Sequence, residues 1–124
     1  MNLVDSSGWL EYFADGPNAD FFAPAIENLP KLVVSVINIY EVFKNVLQQR
    51  GEGDALLAVA IMEQGTVINL DPTIALSAAK ISVDLKLPMA DSVILATAKV
   101  YNATLWTQDS DFKRIEGVKY VEKK

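Results

Sequence analysis

Short runs of apolar and β-branched residues recur along the chain, separated by longer stretches with helical periodicity. Five runs predict strands, the last of them the weakest: NLVD at 2–5, LVVSVI at 32–37, TVINL at 66–70, TLWT at 104–107 and VKYVE at 118–122. Most are apolar throughout instead of alternating, which is typical of parallel strands that are covered on both faces.

Helical segments fill the intervals between these runs, and several carry start and stop signals. Asn38 is the predicted N-cap of the helix after the second strand, and Gly51 is its predicted end. Asp71 followed by Pro72 predicts the start of a later helix. Pro24 is expected to break or restart the helix in the first third of the chain, because proline cannot donate a backbone hydrogen bond.

Strands that alternate with helices predict an α/β fold with a parallel sheet. The length of 124 residues is enough for one hydrophobic core region, and no linker, repeat or low-complexity tract interrupts the chain. We therefore expect a single domain over 1–124 with three layers, α/β/α, around a sheet of about five strands.

The chain contains neither cysteine nor histidine. The lack of cysteine excludes disulfides, thiolate metal sites and cysteine nucleophiles, and the lack of histidine excludes Ser-His-Asp hydrolysis and imidazole metal sites. Hydrolytic chemistry in this chain must therefore use carboxylates, hydroxyls, lysines and bound metal.

The formal net charge is −5, which argues against nucleic-acid binding through a broadly basic surface. It is compatible with a nucleic-acid enzyme whose negative charge surrounds divalent cations. The start, MNLVDSSGWL, lacks the regions of a signal peptide, and the longest apolar run, LLAVAIM at 56–62, is far shorter than a membrane helix. We expect a soluble, cytoplasmic protein with no membrane partner.

Four acidic residues fall at one predicted edge of the sheet. Asp5 ends the first strand, Asp109 follows the fourth, and Glu41 and Asp91 lie in the predicted first turns of two helices. Each one alone is also explained by a helix dipole or a turn. Together, carboxylates about 4 Å apart repel by roughly 4 kcal/mol per pair, so the group favours a divalent cation with oxygen ligands, Mg²⁺ or Mn²⁺.

Four motifs in this order and spacing make the chain resemble the PIN-domain ribonucleases, and among them the VapC-type toxins of toxin–antitoxin pairs. The motifs are LVDSSGWL at 3–10, the glutamate within SVINIYEV at 35–42, LPMADSVILATA at 87–98 and LWTQDSDFKRIEGVKYV at 105–121. The resemblance spans essentially the whole chain. It implies metal-assisted hydrolysis of an RNA phosphodiester in an acidic pocket.

The resemblance also implies roles for individual residues. The family's acidic quartet falls on Asp5, Glu41, Asp91 and Asp109, with Asp5 and Asp91 as the most direct metal ligands. Glu41 would complete the site or orient water, and Asp109 would act on a second metal or through water.

Hydroxyls and a fifth acid lie beside this quartet. Ser6 and Thr107 are expected to orient carboxylates, although capping or turn hydrogen bonds explain them equally well. Asp111 is either a fifth member of the site or the residue that caps the turn before FKRI, and the sequence favours the cap.

The basic residues near the predicted site are few, namely Lys44, Lys113 and Arg114. Each is a candidate for RNA contact, although an exposed or salt-bridged surface position is the more common role of such residues.

The aromatic residues of the first helices predict a binding surface for a partner. Trp9, Tyr12, Phe13, Phe21 and Phe22 cannot all face inward from one side of each helix. By resemblance, an antitoxin would lay a helix across the leftover apolar surface and insert a basic side chain into the acidic pocket. The family resemblance also implies a homodimer.

Two other interpretations remain open. Receiver and phosphotransfer domains also gather acids at the carboxyl end of a parallel sheet, but they usually carry adjacent acids after the first strand and a lysine at the end of the last strand. Here Asp5 is followed by two serines, and TLWT is followed by Gln108. A catalytically idle PIN-like domain that only binds a protein is the other alternative.

Overall fold

The computed structural model describes residues 1–124 and contains five strands and six α-helices. The strands are β1 (Asn2–Val4), β2 (Leu32–Ser35), β3 (Thr66–Ile68), β4 (Thr104–Thr107) and β5 (Val118–Tyr120). The helices are α1 (Ser6–Phe13), α2 (Ala19–Ile26), α3 (Val36–Arg50), α4 (Glu52–Met62), α5 (Pro72–Leu85) and α6 (Met89–Val100). Two single turns of 3₁₀ helix cover Leu29–Lys31 and Ser110–Phe112.

The five strands form one sheet in the order β3-β2-β1-β4-β5, and every neighbouring pair is parallel. Leu3 of the central strand β1 lies between Val33 of β2 and Leu105 of β4. The chain first builds outward from β1 to β3, and then returns to the other side of β1 with β4. This reversal creates a crevice between the ends of β1 and β4. The four parallel pairings confirm the predicted parallel sheet.

Side chains on the two faces of the sheet belong to two separate cores. Leu3, Val33 and Leu105 pack on α5 and α6, together with Phe112. Val4, Val34 and Trp106 face the other way and pack on α1, α2, α3 and α4. Because successive residues of a strand point to opposite faces, this alternation covers both sides of the sheet. The predicted α/β/α layering is confirmed.

The five aromatic residues of α1 and α2 divide into buried and partly exposed positions. Trp9 and Phe22 are fully buried in the second core. Tyr12, Phe13 and Phe21 are half-buried around its edge. The expectation that these rings do not all point inward is therefore confirmed.

The start of α3 differs from the prediction. The pairing of β2 with β3 ends at Ser35, and Val36 and Ile37, which the sequence assigned to the strand, are helical. Ser35 is the N-cap: its hydroxyl accepts the backbone N–H of Ile37 at 3.2 Å, and its own N–H donates to Oδ1 of Asn38 at 3.3 Å. Asn38 is thus the second half of a capping box and not the cap itself.

Pro24 lies inside a continuous α2, so the prediction that it breaks the helix is wrong. A proline at this position removes the hydrogen bond to the carbonyl of Asp20, four residues earlier. Both Pro24 and Asp20 are exposed, so water can satisfy that carbonyl.

Other helix signals are confirmed. The side chain of Asp71 accepts the N–H of Ile74 at 2.8 Å, with Pro72 at the first helical position of α5. Gly51, at a φ of 90°, separates α3 from α4. None of the six helices combines the length and apolar character that a membrane crossing requires.

Candidate active site

A cleft of about 420 Å³ opens at the carboxyl edge of the sheet, beside the crevice between β1 and β4. All four acids that the sequence singled out, Asp5, Glu41, Asp91 and Asp109, line it. Asp5 follows β1 directly, and Asp109 follows β4 by two residues. The first turn of α6 supplies Asp91, and α3 supplies Glu41. Residues that are up to 104 positions apart in sequence therefore share one surface.

Asp5 is the most deeply buried of these acids, with 3% of its surface exposed. The hydroxyls of Ser7 and Thr107 donate to its Oδ2 at 2.8 and 2.9 Å. Burial raises the pKa of Asp5, the two hydroxyl hydrogen bonds lower it in part, and the negative charge of Asp109 raises it further. Both side-chain donors bind the same oxygen, so no side chain donates to Oδ1.

Glu41 is held by a chain of hydrogen bonds from α1 and its own helix. The hydroxyl of Ser6 donates to Oε1 of Glu41 at 2.7 Å, and Nδ2 of Asn38 donates to the Ser6 oxygen at 2.9 Å. Because α3 begins at Val36, Glu41 lies in the second turn and not in the first, where the sequence placed it. Its position therefore depends on Ser6 more than on the helix dipole.

Asp91 and Asp109 of the cleft form a close group with Asp111, an exposed acid outside the cleft lining. Each offers one carboxylate oxygen, and these oxygens all lie within 4.8 Å of one another. The pKa of Asp91 is raised to about 7, first by burial and then by the negative charges of Asp109 and Asp5. Such a shift reflects a half-buried carboxyl with other negative charges close by.

The turn after β4 explains how Asp109 and Asp111 come together. The backbone N–H of Asp109 donates to the Thr107 hydroxyl at 2.9 Å, and Oδ1 of Asp109 accepts the N–H of Asp111 at 2.9 Å. Asp109 is therefore the residue that caps the following 3₁₀ turn. The preference for Asp111 as the cap is wrong, because a cap must precede the turn and Asp111 lies within it.

Basic side chains hardly offset the charge of the cleft. Lys44 is the only basic residue that lines it, while Lys113 and Arg114 are exposed and lie outside its lining. The only ion pair of the chain joins Arg50 and Asp54, 3.9 Å apart on the surface. The acids of the cleft thus have no cationic partner within the protein.

The donor atoms of the cleft fit a hard divalent cation. Mg²⁺ binds oxygens at about 2.0–2.1 Å in octahedral geometry, which places its ligand oxygens about 3 to 4 Å apart. The oxygens of Asp91, Asp109 and Asp111 fall near this range, and no nitrogen or sulfur ligand competes with them.

Some residues of the site carry no sequence signal of their own. Ser7 and Gln48 are ordinary polar residues in the sequence, and Asn38 was predicted only as a helix cap. In the structure Ser7 binds Asp5, Asn38 binds Ser6, and Gln48 lines the cleft. Ser7 adjoins the strand-end aspartate, which is the one pattern that could have indicated it.

Comparison with known proteins agrees with this geometry. The PIN domain family matches residues 3–118. Comparison with curated protein sequences finds no significant match. Among solved structures, a toxin–antitoxin complex from Klebsiella pneumoniae is similar with a TM-score of 0.80 and 26% identity over 95% of both chains.

Two further structures resemble the chain over nearly its full length. FitAcB from Neisseria gonorrhoeae has a TM-score of 0.69 and 26% identity, covering 98% of this chain and 97% of its own. VapC20 from Mycobacterium tuberculosis, a sarcin–ricin-loop-cleaving toxin, has a TM-score of 0.78 and 17% identity, covering 96% and 98%. With the family match over residues 3–118, the sheet order and the acidic cleft, the chain belongs to the PIN-domain family.

Proposed function

We propose that this protein is a divalent-metal-dependent endoribonuclease and the toxin of a toxin–antitoxin pair. The observation that carries the proposal is the cleft of four acids with a single lysine, at the crevice of a PIN-family sheet. The similarity to a toxin–antitoxin complex at 26% identity supports the biological role. RNA is the substrate class named for the structurally similar sarcin–ricin-loop-cleaving toxin.

The acids of the cleft would have different roles, metal binding or the orientation of water, according to their positions. Asp91 and Asp109 would hold Mg²⁺ or Mn²⁺ together with Asp5, and Asp111 lies close enough to join them. A bound cation of this kind lowers the pKa of water and stabilises the negative charge that develops on a phosphodiester. Glu41, held by the Ser6 hydroxyl, would orient water or accept its proton from one side of the cleft.

Lysine and arginine residues would assist substrate binding. Lys44 lines the cleft, where it would contact a phosphate of RNA. Lys113 and Arg114 are exposed beyond the turn after β4, where they would contact only a longer RNA. Because so few basic residues are present, we expect weak binding of RNA in the absence of metal.

Metal-dependent cleavage of RNA tests the proposal. Purified protein with Mn²⁺ is expected to cut total bacterial RNA into discrete products, and chelation of the metal should stop cleavage. Asp91→Asn and Glu41→Gln should each lower the rate by more than about 100-fold, since the partners of metal ligands alone are worth about 10- to 100-fold. Asp84→Asn, which alters an exposed acid of α5, is the control and should cut like the wild type.

The cleavage assay also separates the competing functions. Cleavage that survives chelation, or that Asp91→Asn leaves intact, would contradict the proposed site. A wild-type protein that binds Mn²⁺ but cuts no RNA would instead favour an idle, protein-binding domain.

An apolar groove beside the acidic cleft supports an antitoxin partner. This groove, of about 540 Å³, lies between α1, α3 and α4, and Phe13, Val46, Leu57 and Ile61 line it. Leu57 is 66% exposed and Ile61 is 38% exposed, so the groove offers adjacent apolar surface to a partner. The groove and the cleft share lining residues, Ser7 among them, so a helix in the groove would reach the acids.

Charge substitution in the groove tests this assignment. Leu57→Asp is expected to abolish neutralisation of the toxin by its antitoxin, while metal-dependent cleavage stays unchanged. If the antitoxin restored the growth of cells that express Leu57→Asp as fully as that of cells that express the wild-type toxin, the assignment would be contradicted.

We also propose that the protein forms a homodimer through a second apolar surface, on α5 and the start of α6. Leu76, Val83 and Met89, on α5 and at the start of α6, are each at least 75% exposed. Val83→Asp is expected to convert a dimer to a monomer in sedimentation equilibrium. A wild-type protein that stays monomeric at all concentrations would contradict the homodimer.

A further inference from the structure

Tyr40 is a large aromatic side chain that the proposed chemistry does not use. It is 61% exposed, it lines the acidic cleft, and it is the only aromatic residue that does so. Its hydroxyl makes no hydrogen bond within the protein, and its ring belongs to neither hydrophobic core. The fold therefore gives no packing reason for a tyrosine at the edge of this cleft.

Lys44 lies one helical turn beyond Tyr40 on the same face of α3. Its Nζ is 5.8 Å from the centre of the Tyr40 ring, and no carboxylate lies within salt-bridge distance of it. Asn45 and Gln48 continue the same face along the cleft. The helix thus presents a flat ring, one unpaired cation and two amides, beginning next to Glu41.

An acidic cleft needs a means of binding RNA that does not depend on charge. The protein carries a net charge of −5, and Lys44 is the only basic residue of the cleft. Stacking of a base on an aromatic ring is insensitive to charge, tolerates every base, and strengthens binding by about 5- to 150-fold per base. RNA-binding proteins use exposed aromatic rings in this way to hold unpaired bases.

We propose that Tyr40 is a stacking site for an unpaired nucleobase of single-stranded RNA, next to the phosphate that the acids engage. Lys44 contacts the neighbouring phosphate from the same helix face. This inference rests on the proposed ribonuclease function and adds to it a residue that binds a base of the substrate, Tyr40.

The position of Tyr40 favours a nucleobase over a partner protein. Tyr40 lines the acidic cleft but is absent from the lining of the apolar groove, where Phe13 and Leu57 lie. A helix bound in that groove therefore does not require the Tyr40 ring. A ligand that occupies the acidic cleft, by contrast, lies beside it.

Binding of two matched RNA probes tests the proposal. The probes are a fluorescein-labelled decamer of adenylate and a decamer with the same sugar–phosphate length but no bases, both measured by anisotropy at low salt. Ca²⁺ supplies an oxygen-binding cation. The proteins are wild type, Tyr40→Ala, Tyr40→Phe, Lys44→Ala and, as the control for an exposed tyrosine elsewhere, Tyr101→Ala.

If Tyr40 stacks on a base, the affinities of the variants for the two probes should differ in a specific way. Wild type and Tyr40→Phe bind the adenylate decamer more tightly than the abasic decamer, and Tyr101→Ala behaves like wild type. Tyr40→Ala binds the adenylate decamer about 5- to 150-fold more weakly but binds the abasic decamer unchanged. Lys44→Ala weakens both probes by the same factor, because its contact is to phosphate.

Two results would overturn the proposal in distinguishable ways. If wild type binds and cleaves RNA but Tyr40→Ala binds the adenylate decamer as tightly as wild type, or weakens both probes equally, the stacking site is wrong and the nuclease function stands. If wild type neither binds the adenylate decamer nor cleaves RNA with Mn²⁺, the proposed function fails and the stacking site fails with it.

Discussion

The hydroxyl of Ser6 donates a 2.7 Å hydrogen bond to Oε1 of Glu41 and thereby joins α1 to α3 at the cleft. The same hydroxyl oxygen accepts from Asn38, whose Oδ1 accepts the backbone N–H of Ser35. Glu41 is therefore connected to the end of β2 through two buried polar side chains. This connection fixes the direction of the Glu41 carboxylate before any ligand arrives.

Ser6→Ala is expected to lower cleavage and metal affinity by about 10- to 100-fold, because Glu41 loses the donor that orients it. The free energy of unfolding should fall by about 1–3 kcal/mol, since Nδ2 of Asn38 also loses its partner. Cleavage kinetics and urea denaturation measure the two effects. Ser77→Ala, on α5 away from the cleft, is the control. Full activity in Ser6→Ala would show that Glu41 needs no such support.

Thr107→Val removes a hydroxyl that serves both Asp5 and the Asp109 backbone. We expect Mn²⁺ affinity to fall by about 10- to 100-fold, because two acids of the cleft lose their orientation together. Thr97→Val is a matched control, since the Thr97 hydroxyl is equally buried but donates only to the carbonyl of Val93 in its own helix. A loss of Mn²⁺ affinity of equal size in both variants would contradict a specific role for Thr107.

The raised pKa of Asp91 predicts how the metal-free protein responds to pH. Asp91 titrates near 3.8 in the unfolded chain and at about 7 in the folded protein. The folded state therefore binds the proton more tightly, and the stability that this provides is complete below pH 3.8 and lost as the pH rises through about 7.

Asp91→Asn is expected to remove this loss, because asparagine stays neutral at every pH. With a chelator present, the variant should exceed wild type in free energy of unfolding by about 1–2 kcal/mol near pH 8, a value reduced for solvent screening of a half-buried group. The advantage should vanish toward pH 4. Urea denaturation across this range measures it, with Asp84→Asn as the control. An advantage that is equal at both ends of the pH range would contradict the raised pKa.

Two glycines in helices should respond to alanine in opposite directions. A Cβ at Gly8 would lie 2.6 Å from the Phe22 ring and 2.7 Å from Val4, whereas a Cβ at Gly53 meets nothing within 4 Å. Gly8→Ala should therefore destabilise the protein by about 1–3 kcal/mol through overpacking. Gly53→Ala should stabilise it by up to about 1 kcal/mol through helix propensity. Urea denaturation of both variants measures these changes. An unchanged free energy of unfolding in Gly8→Ala would mean that α1 can shift away from the sheet without destabilising the protein.

The strand-end acids could be predicted from the sequence because their placement follows from topology alone. Once β1 and β4 are parallel and adjacent, Asp5 and Asp109 must meet at one edge of the sheet. The start of α3 could not be predicted in the same way. Ser35 and Asn38 are both good N-caps, and only the end of pairing between β2 and β3 selects Ser35.

The hydrogen bonds and contacts that support the acids of the site could not be predicted from the sequence, for a different reason. The bond between Ser6 and Glu41 depends on how α1 packs against α3, and the approach of Asp111 to Asp91 depends on the shape of one turn. Neither is encoded in a local pattern. For Pro24, the sequence correctly predicts that a backbone hydrogen bond is lost. The helix nevertheless continues, because the loss falls on the exposed side of α2.

Calorimetric titration of Mn²⁺ into the wild-type protein, Asp91→Asn and Asp84→Asn tests most directly that the acids form a metal site. We expect binding to wild type and Asp84→Asn, no binding to Asp91→Asn, and a higher melting temperature only where Mn²⁺ binds. The same titration with a short RNA present covers the case in which substrate phosphate completes the site. Equal binding by Asp91→Asn and wild type, or no binding by a folded wild type even with RNA, would contradict the metal-dependent nuclease.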